Sequence, residues 1–323
     1  MLRAAVTFVL LAGCRQLLGF DDPTMAVGDG SVGGDGGGDG SSGDGATLTC
    51  LQAWHAGTIR FATPTQLTEL ASTGTSQRDP FLTPDETTIY FNALSQGVTH
   101  IYSATRAGVA DPFGAVMQDS ALDSGQNESK FTMTSDGLDA IYSSDRNGGA
   151  GGADLWETTR LDTTQDFGMS NEVNLTKVDT AGDEYDPELL GNGLELYFAP
   201  ISTSPQTIYV TTRAALGQKF ATPTPVTELN SGDGDADPAP SFDDTIILFT
   251  SARPASLPGK NLWYATRSTT ALPFGPPQLV PDLNSGVDDG DPWLSEDGCR
   301  VYFTRDNTIT GTTFRVYVAS AQQ

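Results

Sequence analysis

Apolar positions along this chain fall in short runs that alternate with polar ones and are broken at short intervals by Asp, Asn, Gly or Pro, the period of strands and tight turns. No stretch keeps a helical period of about 3.6 residues. The runs themselves recur. Ile89-Tyr90-Phe91, Ala140-Ile141-Tyr142, Leu196-Tyr197-Phe198, Ile247-Leu248-Phe249 and Val301-Tyr302-Phe303 each follow a turn sequence, such as Pro84-Asp85-Glu86 or Glu296-Asp297-Gly298. Before each turn stands an Asp-Pro, at Asp79, Asp186, Asp237 and Asp291, with Lys130-Phe131 in the second copy. After each run a third strand ends in Thr-Arg, at Arg106, Arg160, Arg213 and Arg267, while the fifth copy reads VYVASA and lacks the arginine. A fourth strand is expected near Phe61, Phe113, Phe167, Phe220 and Phe274, at intervals of 52, 54, 53 and 54. Four strands in a unit of about 53 residues make one blade of a β-propeller, so the pattern predicts an all-β, single five-bladed propeller over residues 48–323.

The ends of the repeat carry a prediction of their own. A lone fourth strand, residues 59–70, precedes the first Asp-Pro, and the chain finishes on a third strand, 314–320. The N-terminal strand is therefore expected to complete the last blade, which leaves no unpaired sheet edge where the ring closes. Cys50 lies just ahead of that strand and Cys299 opens the second strand of the blade it completes, so a disulfide there would clamp the closure; two free thiols are the alternative.

Ahead of the repeats, residues 1–14 read as an export signal. Arg3 is followed by an apolar run from Ala4 to Ala12, too short to span a hydrocarbon core of about 30 Å. Leu11-Ala12-Gly13-Cys14 resembles a bacterial lipobox, which implies lipidation of Cys14, and Arg15 in place of an aspartate at the next position favours the outer membrane. Residues 15–47, rich in Gly, Asp and Ser, are expected to be a disordered tether with a reach of roughly 30 Å. The only membrane contact expected is the lipid anchor, and the cell envelope, periplasmic or surface-facing, is the expected location.

Charge narrows the partners. The 41 acidic against 17 basic residues give a formal net charge of −24, a field that repels nucleic acid and anionic headgroups. The repeats resemble those of TolB-like, WD-repeat-like propeller lipoproteins of bacteria, on DPWLSEDGCRVYF (Asp291 to Phe303) and SSDRNGGAGGADLWETTR (Ser143 to Arg160). That resemblance implies a propeller used as a non-enzymatic interaction scaffold, monomeric, docking an envelope protein or a peptidoglycan-associated partner.

Where the partner would sit follows from propeller geometry. Loops from fourth to first strands open on one face, and here they are acidic: residues 179–185, Asp233, Asp235 and Asp237, and Asp288, Asp289 and Asp291. Asp79, Lys130, Asp186, Asp237 and Asp291 are expected to ring the channel mouth, either capping their own strands or converging as a site for a cation such as Ca2+ or for a polar ligand. The alternate spacing of Asp233, Asp235 and Asp237 is like a calcium loop, but Pro238 stands where an EF-hand needs glycine. A carbohydrate-binding or glycosidase-like propeller with central carboxylates is the alternative function. His55 and His100 have no partner motif in sequence, no catalytic residue or cofactor is implied, and Trp156, Trp263 and Trp293 are expected in blade cores.

Overall fold

Turns and ladders in the computed structural model, which describes residues 47–322 apart from 73, 169–170, 256 and 309–312, assemble five four-stranded antiparallel sheets. The lipobox with Cys14 and almost all of the tether lie outside the described residues. Numbered in chain order, the first strands are β2 (Gln77–Leu82), β6 (Glu128–Met133), β10 (Glu184–Leu189), β14 (Asp235–Pro240) and β18 (Asp289–Leu294). The second strands are β3 (Thr88–Ser95), β7 (Asp139–Ser144), β11 (Glu195–Pro200), β15 (Ile246–Ser251) and β19 (Arg300–Asp306). The third are β4 (Val98–Thr105), β8 (Asp154–Thr159), β12 (Tyr209–Thr212), β16 (Asn261–Thr266) and β20 (Phe314–Ser320). First strands touch in a closed cycle, β2 to β6 to β10 to β14 to β18 and back to β2, which is a five-bladed propeller with those strands around its axis.

Outer strands are shorter than the phenylalanine spacing suggests. β5 (Met117–Gln118), β13 (Thr224–Pro225), β17 (Gln278–Leu279) and β1 (Thr65–Gln66) each begin four residues after their phenylalanine, and β9 (Val173–Asn174) begins six after. At β1, β13 and β17, prolines at 64, 223, 225, 276 and 277 remove ladder donors from the edge, which discourages edge-to-edge pairing. The phenylalanines point inward instead, and the reason is the Thr-Arg signature. Arg106, Arg160, Arg213 and Arg267 each lie over the ring of Phe113, Phe167, Phe220 or Phe274, at 4.4, 4.2, 4.5 and 4.2 Å. Their Nε atoms donate to the turn carbonyls of Glu86, Gly137, Gly193 and Asp244, at 2.6 to 2.8 Å. One side chain thus ties the outer strand, the third strand and the inner turn of its blade together.

The closing blade performs the same task with different residues. β1 pairs with β20, Phe61 bridges Ala321, and a 310 turn at Thr68–Ser72 follows, so the expected 59–70 strand is a shorter ladder that does close the ring. Ala321 stands where the arginine would be. Its place is taken by Trp54, whose Nε1 donates to the Gly298 carbonyl at 2.9 Å and whose ring packs on Phe61 at 5.5 Å. Trp54 sits on a helix the repeat pattern did not predict, α1 (Cys50–Ala56), started by a Thr49/Gln52 capping box and stopped by Gly57 at φ 67°. A disulfide between Cys50 and Cys299, with Cα atoms 5.2 Å apart, bolts this helix to the turn that Trp54 serves. Gly298 sits at φ 71°, where a side chain is strained, and a Cβ there would meet Leu51 Cδ2 at 2.7 Å, so Leu51 would have to move to admit one.

Candidate functional site

The axial residue of each first strand sits on a bulge. Asp79, Lys130, Asp186, Asp237 and Asp291 all have positive φ, between 44° and 57°, and the ladder register shifts around each. Aspartate tolerates this left-handed geometry better than most residues, and the bulge re-aims its side chain from the blade toward the axis. Capping is then between blades rather than within them: the Asp79 N–H donates to Asp291 Oδ2 at 3.4 Å, and the Asp291 N–H donates to Asp237 Oδ2 at 3.2 Å. Asn92 Nδ2 donates to Asp79, Thr304 Oγ1 to Asp291 at 2.6 Å, and Gln206 Nε2 to Asp186 at 3.4 Å.

Four of the five predicted ring residues share one cavity. It has a volume of about 610 Å3, and Arg78, Asn127, Tyr185, Lys260 and Asp288 add polar groups around the four aspartates. Lys130 does not join them. It is fully buried with its Nζ 3.4 Å from Glu188 Oε2, and Thr132 Oγ1 donates to the same glutamate at 3.4 Å. Toward the other end of the axis Phe81, Met133, Leu189, Phe242 and Trp293 leave only about 30 Å3 between them. The cavity is a pocket with a packed floor.

The carboxyls cannot all ionise at such proximity. Burial, then the Asp291 charge, pushes Asp79 up to about 8, against the pull of Lys130. Burial and the Asp237 charge raise Asp186 well above the ordinary carboxylate range and raise Asp291 as well. For Asp237 burial acts upward too, but its polar neighbours Thr250 and Asp186 and the charges of Lys260 and Lys130 outweigh it and leave the group below its ordinary value. Asp237 is thus the most readily ionised of the four, while Asp79, Asp186 and Asp291 keep their protons to higher pH than an ordinary carboxyl.

A pH dependence follows. Groups raised in the folded state stabilise it below the unfolded carboxylate range, and that contribution is lost as pH rises through the folded value, for Asp79 about 8 and for Glu188 about 7. Asp237 acts in the opposite sense, at lower pH. Thermal unfolding is therefore expected at higher temperature at about pH 5 than at about pH 8.5, and Asp79→Asn should narrow the difference. Equal melting temperatures at both values, in wild type and variant alike, would contradict the shared-proton ring.

The structure separates the remaining predicted acids. Asp233 is exposed, and Asp288 is half-buried at the cavity wall, where Oδ1 accepts from the Lys260 N–H at 2.8 Å. Asp235 and Asp289 do not lie on the loop surface: both are fully buried, paired at 2.6 Å with Arg253 and Arg305. Glu128 holds Arg146 in the same way in the second blade. Each of these arginines stacks on ring side chains of its blade, Arg146 on Tyr142 and Trp156, Arg253 on Phe249 and Trp263, Arg305 on Phe303 and Tyr317. Arg78 is the wall of the cavity that sequence reasoning missed, whereas Asn92 and Lys260 bound loops between second and third strands that propeller geometry puts on the same face. Arg78 precedes Asp79 directly, and the repeated position of Asn92 opposite it was the available signal.

No protein-family model matches the chain, and no curated protein matches it. Solved structures do. The catalytic domain of a Coprinopsis cinerea GH62 α-L-arabinofuranosidase is 10% identical with a TM-score of 0.54, over 82% of this chain and 97% of that one. The α-L-arabinofuranosidase of Podospora anserina in complex with cellotriose is 10% identical with a TM-score of 0.53, over 77% and 91%. TolB from Acinetobacter baumannii is 16% identical with a TM-score of 0.46 over 76% of this chain, which spans 55% of the TolB chain. The resemblance to TolB-like propellers read from the repeats is one of fold.

Proposed function

We propose that this chain is a binding protein of the bacterial cell envelope, anchored through a lipid on Cys14, that captures a polar segment of an envelope protein or of peptidoglycan in the mouth of its propeller. The cavity carries this reading. At about 610 Å3 it falls within the range of small-ligand sites, roughly 300–1,000 Å3, and so accommodates one projecting unit of a larger partner rather than a flat protein face. Asp79 and Asp186, which keep their protons to higher pH, can donate where Asp237 accepts, and the surrounding negative field excludes anions. The unit recognised is accordingly neutral and hydroxyl-rich, or cationic.

A second reading, glycoside hydrolysis, is supported by one observation: four carboxyls, those of Asp79, Asp186, Asp237 and Asp291, line a single cavity. The fold likeness to arabinofuranosidases fits it. One experiment addresses both. Full-length protein is incubated with solubilised peptidoglycan fragments, with arabinan and xylan oligosaccharides and with envelope extract, and both retention and release of reducing sugar are measured. Capture without turnover, lost by about tenfold or more in an Asp79→Asn/Asp237→Asn variant whose fold is intact, is the expected result. Retention equal to wild type would remove the cavity from the proposal, and sugar release abolished by Asp186→Asn would establish the second reading instead.

A further inference from the structure

The repeat brings the same three positions together at four successive blade junctions. They are the residue six before the terminal arginine of a third strand, the residue five before the start of the next first strand, and that starting residue. In order the sets are His100, Asp123 and Glu128; Asp154, Asp179 and Glu184; Thr207, Asn230 and Asp235; Asn261, Asn284 and Asp289. The last two junctions are closed polar clamps. Asn230 exchanges hydrogen bonds with the Ile208 backbone, Asn284 does so with Leu262, and the buried aspartates are held by Arg253 and Arg305.

The first junction differs in its chemistry. One ligand-type atom each of His100, Asp123 and Glu128 lies within 4.8 Å of the others, and His100 Nδ1 is 3.4 Å from Asp123 Oδ1. Asp123 is held in place by the Gly125 N–H at 2.8 Å and by Gln118 Nε2 at 2.7 Å. The Glu128 side chain is 1% exposed, and its two oxygens are treated unequally. Oε1 accepts from Ser144 Oγ at 3.0 Å, from Ser124 and from Arg146, whereas buried Oε2 has no hydrogen-bond partner. A carboxylate oxygen buried without a donor beside an imidazole nitrogen, which itself makes no hydrogen bond, has the chemistry of a vacant ligand set.

We infer that His100, Asp123 and Glu128 form a divalent transition-metal site at the junction of the first two blades, separate from the cavity walls. One imidazole and two carboxylates suit Zn2+, with a fourth position left for water. The part-exposed side chains of His100 and Asp123, at 16% and 25%, give the ion a way in, and Arg146 stays on the Oε1 side, where Glu172 also binds it. At the second junction Asp154, Asp179 and Glu184 also lie within 4.8 Å of one another but offer oxygen alone, which makes them the internal control.

The test uses the full chain, stripped with EDTA and titrated with zinc sulfate by calorimetry. About one equivalent is expected to bind with a Kd near micromolar or tighter and to raise the melting temperature. His100→Ala and Asp123→Asn should each weaken binding by about tenfold or more, and Asp154→Asn should leave it unchanged. Melting of each variant in EDTA reports on folding. Should His100→Ala fail to fold, His100→Gln with Co2+ replaces it, because loss of the imidazole changes the absorption bands of the bound cobalt. Absence of saturable Zn2+ binding to the wild type, or binding undiminished by loss of His100 or removed only by Asp154→Asn, would overturn the assignment.

Discussion

Breaking the Cys50–Cys299 bond, or replacing Trp54 by alanine, should destabilise the propeller by roughly 2–5 kcal/mol in each case, and the loss should begin where the ring closes. The bond joins residues 249 apart, so in the unfolded chain it closes a loop of nearly the whole domain, the situation in which a cross-link constrains most. Trp54 is fully buried and supplies in the last blade what an arginine supplies in the other four. Its loss would leave the Gly298 carbonyl without its donor and a cavity against Phe61 and Tyr264, whose rings lie 5.5 and 4.8 Å away. Urea unfolding with and without reductant measures the size of the effect. Hydrogen exchange locates it: amides of β1 and β20 should lose protection before those of β6 or β10. Uniform loss of protection across all blades would show that the ring does not open at this point.

Lys130→Met should produce a second large defect, on the order of 3–5 kcal/mol at about pH 8. The lysine is the one cation buried with Glu188 beneath the aspartates, and its charge also opposes the rise of Asp79. Removing it leaves a buried carboxylate unpaired. Burial already pushes Glu188 up to about 7 with the lysine present, so without it the glutamate takes up a proton more readily still. The defect should accordingly shrink as pH falls and Glu188 is neutralised, and Lys130→Met/Glu188→Leu should recover much of the stability lost at high pH. Denaturant unfolding at about pH 5 and about pH 8 tests both points; a defect independent of pH would mean that lost packing, not charge, is responsible.

These two features differ in how far a reader of the sequence could have anticipated them. A lysine in a position otherwise occupied by aspartate marks the second blade at once, and the structure pairs it with Glu188. Trp54 gave no such signal. Its helix is only seven residues long, and the hint lay elsewhere, in the missing arginine of VYVASA. The cavity acids fall between. Asp233, Asp235 and Asp237 read as one acidic loop, yet the bulge between Ala236 and Ala239 and the positive φ of Asp237 send Asp237 to the axis. Asp235 is left facing Arg253 inside the blade junction. Alternation alone cannot show that division, because residues two apart share a face only while the strand is regular.

What the sequence determined by itself was what depends on local order repeated along the chain: the number of blades, the positions of the turns and of the three inner strands of each blade, the bulged residue of each first strand, and the pairing of the two chain ends. Each follows from turn chemistry and strand period, which act over a few residues and were present in five copies. Only the tertiary structure decided which buried acids are neutralised by arginine and which share protons across a cavity, that Trp54 stands in for an arginine, and that His100 meets Asp123 and Glu128. Those outcomes depend on distances between residues from different blades and on the burial that sets the cost of each charge, and neither quantity is written in the local pattern.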